Sequence, residues 1–140
     1  MITITSKSRY AVRALTELAR LGGVSGGRPV PIAELARRRE IPLQFLEQLF
    51  ATLRRAGLLQ SQRGVKGGYT FVNDPSSVTV LEVVQLLDGE VAPDIAGDSA
   101  PPGDVWATAV TALREVLGGT TIADVVEQET RAAGAQMYNI

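Results

Sequence analysis

The first 89 residues contain four stretches in which apolar residues recur every three or four positions, the period of an α-helix. These stretches predict helices over residues 9–21, 31–39, 42–56 and 80–88. Thr5 or Ser6 is positioned to cap the first helix, and Gly57 stands where the third ends. Only Glu40 and Ile41 separate the second helix from the third, which is the spacing of a helix-turn-helix.

The pattern changes after residue 57. Residues 58–62 and 69–72 are typical of two short strands, and the segment between them is Arg63-Gly64-Val65-Lys66-Gly67-Gly68. Its glycines permit the backbone conformations that a hairpin needs. Three helices followed by a hairpin describe a winged helix-turn-helix. The expected fold is therefore mainly α with a small β-hairpin wing.

The C-terminal part is organised differently. Residues 90–103 are rich in Pro, Gly, Ala and Asp and are predicted to form a loop, and Asp104 is placed to cap a helix that follows. The apolar residues of that helix, at spacings of four, three and four, are Trp106, Val110, Leu113 and Leu117. We predict that this coiled-coil-like seam joins two copies of the chain, the alternative being packing on the winged helix of the same chain. A short helix through residues 122–126 and a frayed C-terminus are expected after it.

Charge is divided unevenly along the chain, although the total is only −1. Residues 1–72 hold twelve of the fourteen Lys and Arg and four acids, a net of +8, whereas residues 73–140 have a net of −9. A basic half followed by an acidic half predicts a module that binds a polyanion and is attached to a second element. Random segregation of solvated surface charge is the alternative.

The absence of Cys and His excludes several kinds of site. Without cysteine there are no disulfides and no thiolate metal sites, and without histidine the commonest general base and metal ligand are missing. No paired carboxylates occupy a plausible catalytic site, so we predict that the chain is not an enzyme. No signal peptide and no apolar run of about 20 residues is recognisable, so a cytoplasmic protein with no membrane partner is expected.

The predicted third helix has a polar face of the kind that reads bases in the major groove of double-stranded DNA. Glutamine can pair with adenine through two hydrogen bonds, and a carboxylate can accept one from the cytosine amino group. The residues of this face are Gln44, Glu47, Gln48, Thr52 and Arg55. Because many surface helices carry Gln and Glu, the face is informative mainly through its position between a helix-turn-helix connection and a basic hairpin.

The hairpin tip supplies a second group of candidate DNA contacts. Arg63 is suited to a narrow minor groove and Lys66 to a phosphate, while Gly64 lets the backbone approach the duplex. A nucleotide-phosphate loop is the competing interpretation, but the segment lacks the Walker spacing and does not precede a helix.

The start of the first helix supplies further candidates for phosphate contacts. They are Thr5, Ser6, Lys7 and Arg9. The run Arg37-Arg38-Arg39 is interpreted either as a solvated surface or as a further DNA contact.

Three strings resemble a known family: TSKSRYAVRALTELA, LEQLFATLRRAGLLQSQRGVKGGY and VTVLEVVQLLDG. They are similar to the Rrf2 family of bacterial winged helix-turn-helix transcription regulators, and the resemblance continues through DVWATAVTALREVLGGTTIADVV. It implies DNA contacts by Gln44, Glu47, Gln48 and Arg63 and a dimerisation helix over residues 104–117. The family often has Gly where this chain has Glu40, so slight strain is expected in the turn.

The resemblance also implies a place for a sensor. Cluster-binding members of the family carry three cysteines before the dimerisation helix. In this chain Ala100 stands where the last of them would be, and Ala96 lies near another. Gly103 and Arg9 replace ligands that certain subgroups use. An iron–sulfur cluster needs thiolate or imidazole ligands, so we expect no cofactor in this chain and a cluster only in a Cys-bearing parent. Whether the alanines are natural or replace cysteines stays open.

The sequence thus predicts a dimeric regulator that binds double-stranded DNA and reads a pseudo-palindromic operator. Residues 1–89 form the DNA-binding domain, 90–103 a sensor-type loop, and 104–140 the dimerisation helix and tail. A winged helix that binds another protein, without DNA, is the alternative. That alternative predicts a hydrophobic or acidic recognition face and no basic wing, whereas Arg63 and Lys66 are present.

Overall fold

The computed structural model describes residues 4–63, 67–91 and 103–138. Within these residues the chain forms six α-helices, one short 3₁₀ helix (Pro75–Ser77) and one antiparallel hairpin. The helices are α1 (Ser6–Arg20), α2 (Ile32–Arg39), α3 (Leu43–Arg55), α4 (Val80–Asp88), α5 (Val105–Gly118) and α6 (Ile122–Tyr138), and the strands are β1 (Leu59–Gln62) and β2 (Gly68–Phe71). The predicted winged helix-turn-helix architecture, mainly α with one hairpin, is confirmed in the order of elements.

Side-chain caps begin α1, α4 and α5. The hydroxyl of Thr5 accepts a hydrogen bond from the backbone N–H of Lys7, and that of Thr79 accepts one from Glu82. The carboxylate of Asp104 accepts one from the N–H of Trp106. Each bond satisfies a backbone donor that the first turn leaves without a helical partner.

The main core lies between α1, α2, α3 and the hairpin. Leu15, Leu46, Phe50 and Phe71 are all fully buried there. The ring of Phe50 meets that of Tyr69 edge to face, with centroids 5.1 Å apart, which connects α3 to β2.

The hairpin is also hydrogen-bonded to the segment that precedes α2. The N–H of Val30 donates to the carbonyl of Tyr69 at 3.0 Å, and the N–H of Tyr69 donates back at 2.8 Å. The wing is therefore held by backbone bonds as well as by side-chain packing. This arrangement sets the position of the hairpin relative to α2 and α3.

The predicted short helix and frayed C-terminus are wrong, because α6 continues for 17 residues. Its start is stabilised reciprocally: the N–H of Thr121 donates to the Asp124 carboxylate at 2.9 Å, and the N–H of Asp124 donates to the Thr121 hydroxyl at 3.0 Å. Ile122 is fully buried, and α6 packs along α1. Its N-terminal half therefore packs against the rest of the fold, whereas most of the described side chains after Glu129 are exposed. The weak apolar pattern after residue 126 does not indicate a helix that continues there.

The helix predicted to join two copies, α5, packs on α4 of its own chain. Val110 is fully buried with Val84 and Val91, and Leu113 and Leu117 pack against the same cluster. Trp106, the first residue of the predicted seam, is instead 65% exposed. Packing on the same chain thus involves three of the four seam residues. The expected loop positions Ala96 and Ala100 lie outside the described residues.

Candidate nucleic-acid interface

The recognition-helix candidate α3 divides into a buried and an exposed face. Leu46, Leu49, Phe50 and Leu53 are buried in the core. The predicted base-reading residues Gln44, Glu47, Gln48 and Arg55 are all exposed, on the side away from the core. Because the buried face fixes the rotation of α3, these polar side chains are directed to solvent together.

The C-terminal part of that face is partly engaged in local contacts. Thr52 is half-buried, and its hydroxyl donates to the carbonyl of Gln48 at 3.2 Å. The guanidinium of Arg55 donates to the Thr52 hydroxyl at 3.3 Å. The first two turns of α3 therefore carry the exposed Gln44, Glu47 and Gln48, which matches the use of a recognition helix through its N-terminal end.

The turn before α3 contains a strained residue. Glu40 has φ 55° and ψ 49°, a left-handed conformation that costs a non-glycine residue roughly 1–2 kcal/mol. The strain expected at this position is confirmed. Ile41, which follows, is buried and donates its N–H to the carbonyl of Ala36 at 2.9 Å. These two residues turn the chain from α2 into α3.

Of the three DNA contacts predicted in the hairpin, one lies within the described residues. Arg63 directly follows β1 and is exposed, whereas Gly64 and Lys66 lie outside the described residues. Gly68 begins β2 against the backbone of Val30: a Cβ added there would lie 2.3 Å from the carbonyl carbon of Val30. A side chain at this position would therefore collide with the backbone that holds the wing.

At the start of α1 the four predicted phosphate contacts separate into two groups. Thr5 donates to the Asp88 carboxylate from its hydroxyl at 2.6 Å and from its N–H at 2.9 Å, and the Ser8 hydroxyl donates to it at 2.6 Å. Ser6, Lys7 and Arg9 are exposed. Thr5 is thus engaged with α4, and the other three residues face solvent.

Asp88 is held in its charged form at this junction of α1 and α4. Burial alone raises the pKa of its carboxyl, but the hydrogen bonds from Ser8 and Thr5 and the charge of Lys7 outweigh burial and lower the pKa. Sequence reasoning missed this contact, because Thr5 and Asp88 are separated by 83 residues.

The arginine run at the end of α2 does not behave as a single solvated patch. Arg37 is exposed, and Arg38 is paired with Glu34 and, at 3.7 Å, with Glu17. Arg39 is only 13% exposed and binds the carboxylates of Glu17 and Glu129. The interpretation of the whole run as solvated surface is wrong for Arg39, because a carboxylate 90 residues away along the chain covers it.

Comparison with known proteins decides the family. The family described as "Rrf2: Iron-dependent Transcriptional regulator" matches residues 4–128. The chain belongs to the Rrf2 family. It is 31% identical to the HTH-type transcriptional regulator CymR of Bacillus subtilis (strain 168) over 139 residues, which cover 98% of this chain and 99% of that protein.

Other Rrf2 members are similar over shorter stretches or in structure. The HTH-type transcriptional regulator IscR of Escherichia coli (strain K12 / DH10B) is 47% identical over 88 residues, 63% of this chain and 52% of that protein. The structure of the B. subtilis CymR superposes with a TM-score of 0.76 at 30% identity, covering 91% of this chain and 98% of that one. For IscR from T. potens the TM-score is 0.75 at 31% identity, with coverages of 94% and 90%.

These relatives confirm the predicted resemblance and the fold. They also confirm that the chain is of a transcription-regulator class, which is not a class of enzymes. Within the residues that the structure describes, no helix combines the length and apolar character required to cross a membrane.

The residues present do not fit the iron–sulfur cluster that the family implies. The whole sequence has no Cys and no His. Over residues 4–63, 67–91 and 103–138, no group of three or more Asp and Glu is arranged to hold a metal ion. Thiolate or imidazole ligation is therefore unavailable to this chain.

Proposed function

We propose that this chain is a homodimeric transcription regulator that reads a pseudo-palindromic DNA operator without an iron–sulfur cluster, in the cytoplasm. The observation that supports DNA reading most directly is the exposed face of α3 formed by Gln44, Glu47 and Gln48. The opposite face of α3 is buried, and a helix-turn-helix connection precedes it. Membership of the Rrf2 family supports the same use.

In this proposal each part of the surface has a different task. The exposed Ser6, Lys7 and Arg9 contact phosphates and set the register of the duplex. The N-terminal turns of α3 enter the major groove, where the glutamines pair with adenine and Glu47 accepts from cytosine. Arg63 enters the adjacent minor groove, with Gly64 and Lys66 proposed to contact the backbone beside it. Arg55, tied back to Thr52, has at most a phosphate contact.

The test begins with duplexes that the wild-type chain selects from a random-sequence pool, compared with scrambled duplexes of the same composition. Fluorescence anisotropy then measures the affinity of Gln48→Ala and Arg63→Ala, each expected to weaken specific binding by roughly 1–3 kcal/mol. Gln128→Ala is the matched control, because Gln128 is exposed on α6 and distant in sequence from the reading head, the proposed DNA-binding domain of residues 1–89. Binding to scrambled duplexes should change little in Gln48→Ala, and all specific binding should weaken steeply with salt.

Two results would contradict the proposal. If the wild-type chain selects no duplex, the winged helix is used for another purpose, such as binding a protein. If Gln48→Ala and Gln128→Ala bind the selected duplex equally well, α3 does not read it.

Dimerisation is proposed through α5, and the packing of α5 on α4 favours a contact face one residue away from the predicted seam. The predicted seam beginning at Trp106 is largely covered by α4. A parallel stripe with the same spacings of four, three and four is exposed on α5; it consists of Val105, Ala109, Ala112 and Val116. Val105 and Trp106 are each 65% exposed and Val116 is 63% exposed. Apolar side chains at coiled-coil spacing favour a second α5 as the cover.

This proposal predicts that Val116→Lys yields monomers in light scattering, because it places a charge in the apolar contact. Thr111→Lys, a charge on a different exposed face of α5, should leave the dimer intact. Leu113→Asp is less suitable, since Leu113 packs against the cluster with α4 and the change would also disturb folding. A folded Val116→Lys variant that stays dimeric would move the interface away from this stripe.

A further inference from the structure

Arg39 is the last residue of α2 and immediately precedes the strained turn at Glu40. Its guanidinium is surrounded by three acceptors on two other helices. Nε donates to Glu17 Oε1 on α1 at 2.9 Å, Nη1 donates to Glu129 Oε2 on α6 at 2.9 Å, and Nη2 donates to Glu129 Oε1 at 2.8 Å. Both oxygens of Glu129 are thus paired with the planar fork, the geometry that gives a carboxylate–arginine pair its directional strength.

Arg39, Glu17 and Glu129 form a joint between three helices that is largely buried at Arg39 and Glu17, whereas the side chain of Glu129 is 37% exposed. The side chain of Arg39 is 13% exposed and that of Glu17 is 5% exposed. The carbonyl of Arg39 accepts a hydrogen bond from Arg13 on α1 at 2.9 Å. The hydrogen bonds with Arg39 hold the pKa of Glu129 below its ordinary value, so the pair is charged at neutral pH.

The position of α3 depends on the end of α2. After Arg39 only Glu40, Ile41 and Pro42 remain before α3 begins. Glu40 occupies a left-handed conformation that persists only where its surroundings determine it, and Ile41 bonds back to Ala36 in α2. A joint that fixes the end of α2 to both α1 and α6 therefore also limits the angle between α2 and α3.

We infer that Arg39 and Glu129 are positioning residues for DNA reading: they hold the helix-turn-helix connection so that α3 meets the duplex at the productive angle. The inference rests on the proposed DNA-binding function and extends it to α6, a helix outside the reading head. Lysine cannot replace Arg39, because one ammonium does not reproduce the planar fork that serves two carboxylates.

The experiment uses the full chain and the duplexes that the wild type selects, with scrambled duplexes alongside. Glu129→Gln and Arg39→Lys are compared with Glu127→Gln, which removes an acid from the same helix at an exposed site paired with Arg131. Circular dichroism first establishes conditions in which each variant is folded. Affinity is then measured by anisotropy, and amide exchange at Ile41 is measured without DNA.

We expect Glu129→Gln and Arg39→Lys to lose roughly tenfold in specific affinity, to keep their affinity for scrambled duplexes, and to exchange faster at Ile41. A general electrostatic effect would instead strengthen the binding of Glu129→Gln to DNA, because the variant has lost an acid, and it would strengthen the binding of Glu127→Gln equally. If Arg39→Lys keeps the specific affinity of the wild type, the planar fork of the guanidinium is not required.

Unchanged or stronger specific binding by folded Glu129→Gln would overturn the inference, and so would unchanged exchange at Ile41. If the wild type and Glu127→Gln also bind selected and scrambled duplexes equally, it is the proposed function that fails. In that case, amide exchange at Ile41 in Glu129→Gln and Arg39→Lys still shows whether the joint holds the turn between α2 and α3.

Discussion

Replacing Gly68 by alanine tests how the wing is held. A Cβ at this position would lie 2.3 Å from the carbonyl carbon of Val30, 2.4 Å from its oxygen and 2.7 Å from the nitrogen of Pro31. All three are backbone atoms, so no side-chain rotation relieves the collision. The hairpin must move away from Val30, which breaks the two hydrogen bonds between Val30 and Tyr69 and disturbs the contact of Tyr69 with Phe50.

The expected magnitude follows from those contacts. A backbone hydrogen bond contributes about 0.5–1.5 kcal/mol net, and an aromatic pair about 0.5–1.5 kcal/mol beyond the area it buries. We therefore expect Gly68→Ala to lower the free energy of unfolding by about 2–4 kcal/mol in urea titrations. Specific DNA affinity should fall as well, because Arg63 moves with the hairpin.

Two other glycines serve as controls. At Gly57, where φ is 85° and a Cβ would meet open space, alanine adds only backbone strain of roughly 1–2 kcal/mol. At Gly134, in the interior of α6 with no atom within 4 Å of the added Cβ, alanine should stabilise by roughly 0.5–1 kcal/mol. If Gly68→Ala costs no more than Gly57→Ala and leaves DNA affinity intact, the close approach to Val30 does not hold the wing.

Three further predictions concern strain, protonation and cofactor. Glu40→Gly should raise the free energy of unfolding by about 0.5–1 kcal/mol in urea, because relief of left-handed strain exceeds the added chain entropy; a loss would contradict this. The pKa of Glu129 in the folded chain lies below its ordinary 4.5. The stabilisation that its ion pair with Arg39 gives to the fold is therefore complete above pH 4.5 and is lost as pH falls through the folded-state pKa. As pH is lowered, the free energy of unfolding should fall less in Glu129→Gln than in the wild type. Parallel curves for the two proteins would contradict a stabilising ion pair. Anaerobic reconstitution with iron and sulfide should leave the chain colourless, whereas a brown protein with stoichiometric iron would require ligands other than thiolate and imidazole.

Most of the reading head could be predicted from the sequence, because its signals are local. The period of apolar residues placed α1 to α4 within a few residues of their observed bounds. Thr5 and Asp104 cap helices through bonds that span two residues, so a short window of sequence contains both partners. The exposed face of α3 also follows from period alone, since a buried stripe fixes which residues point away from it.

Contacts between distant residues could not be predicted in this way. The sequence identified an apolar seam on α5 but not which side of the helix α4 would cover, because two stripes one residue apart have the same spacing. The weak apolar pattern after residue 126 does not indicate that α6 continues to Tyr138, and no local signal shows that Glu129 on this helix pairs with an arginine 90 residues away along the chain.

Arg39 shows the division most clearly. In the sequence it is the third of three adjacent arginines, and nothing local separates it from Arg37. Only the folded chain brings Glu17 and Glu129 to its guanidinium while leaving Arg37 exposed. Local hydrogen bonds and helical period are encoded in neighbouring residues, whereas the pairing of charges 90 positions apart depends on how the helices pack, which a single sequence does not specify residue by residue.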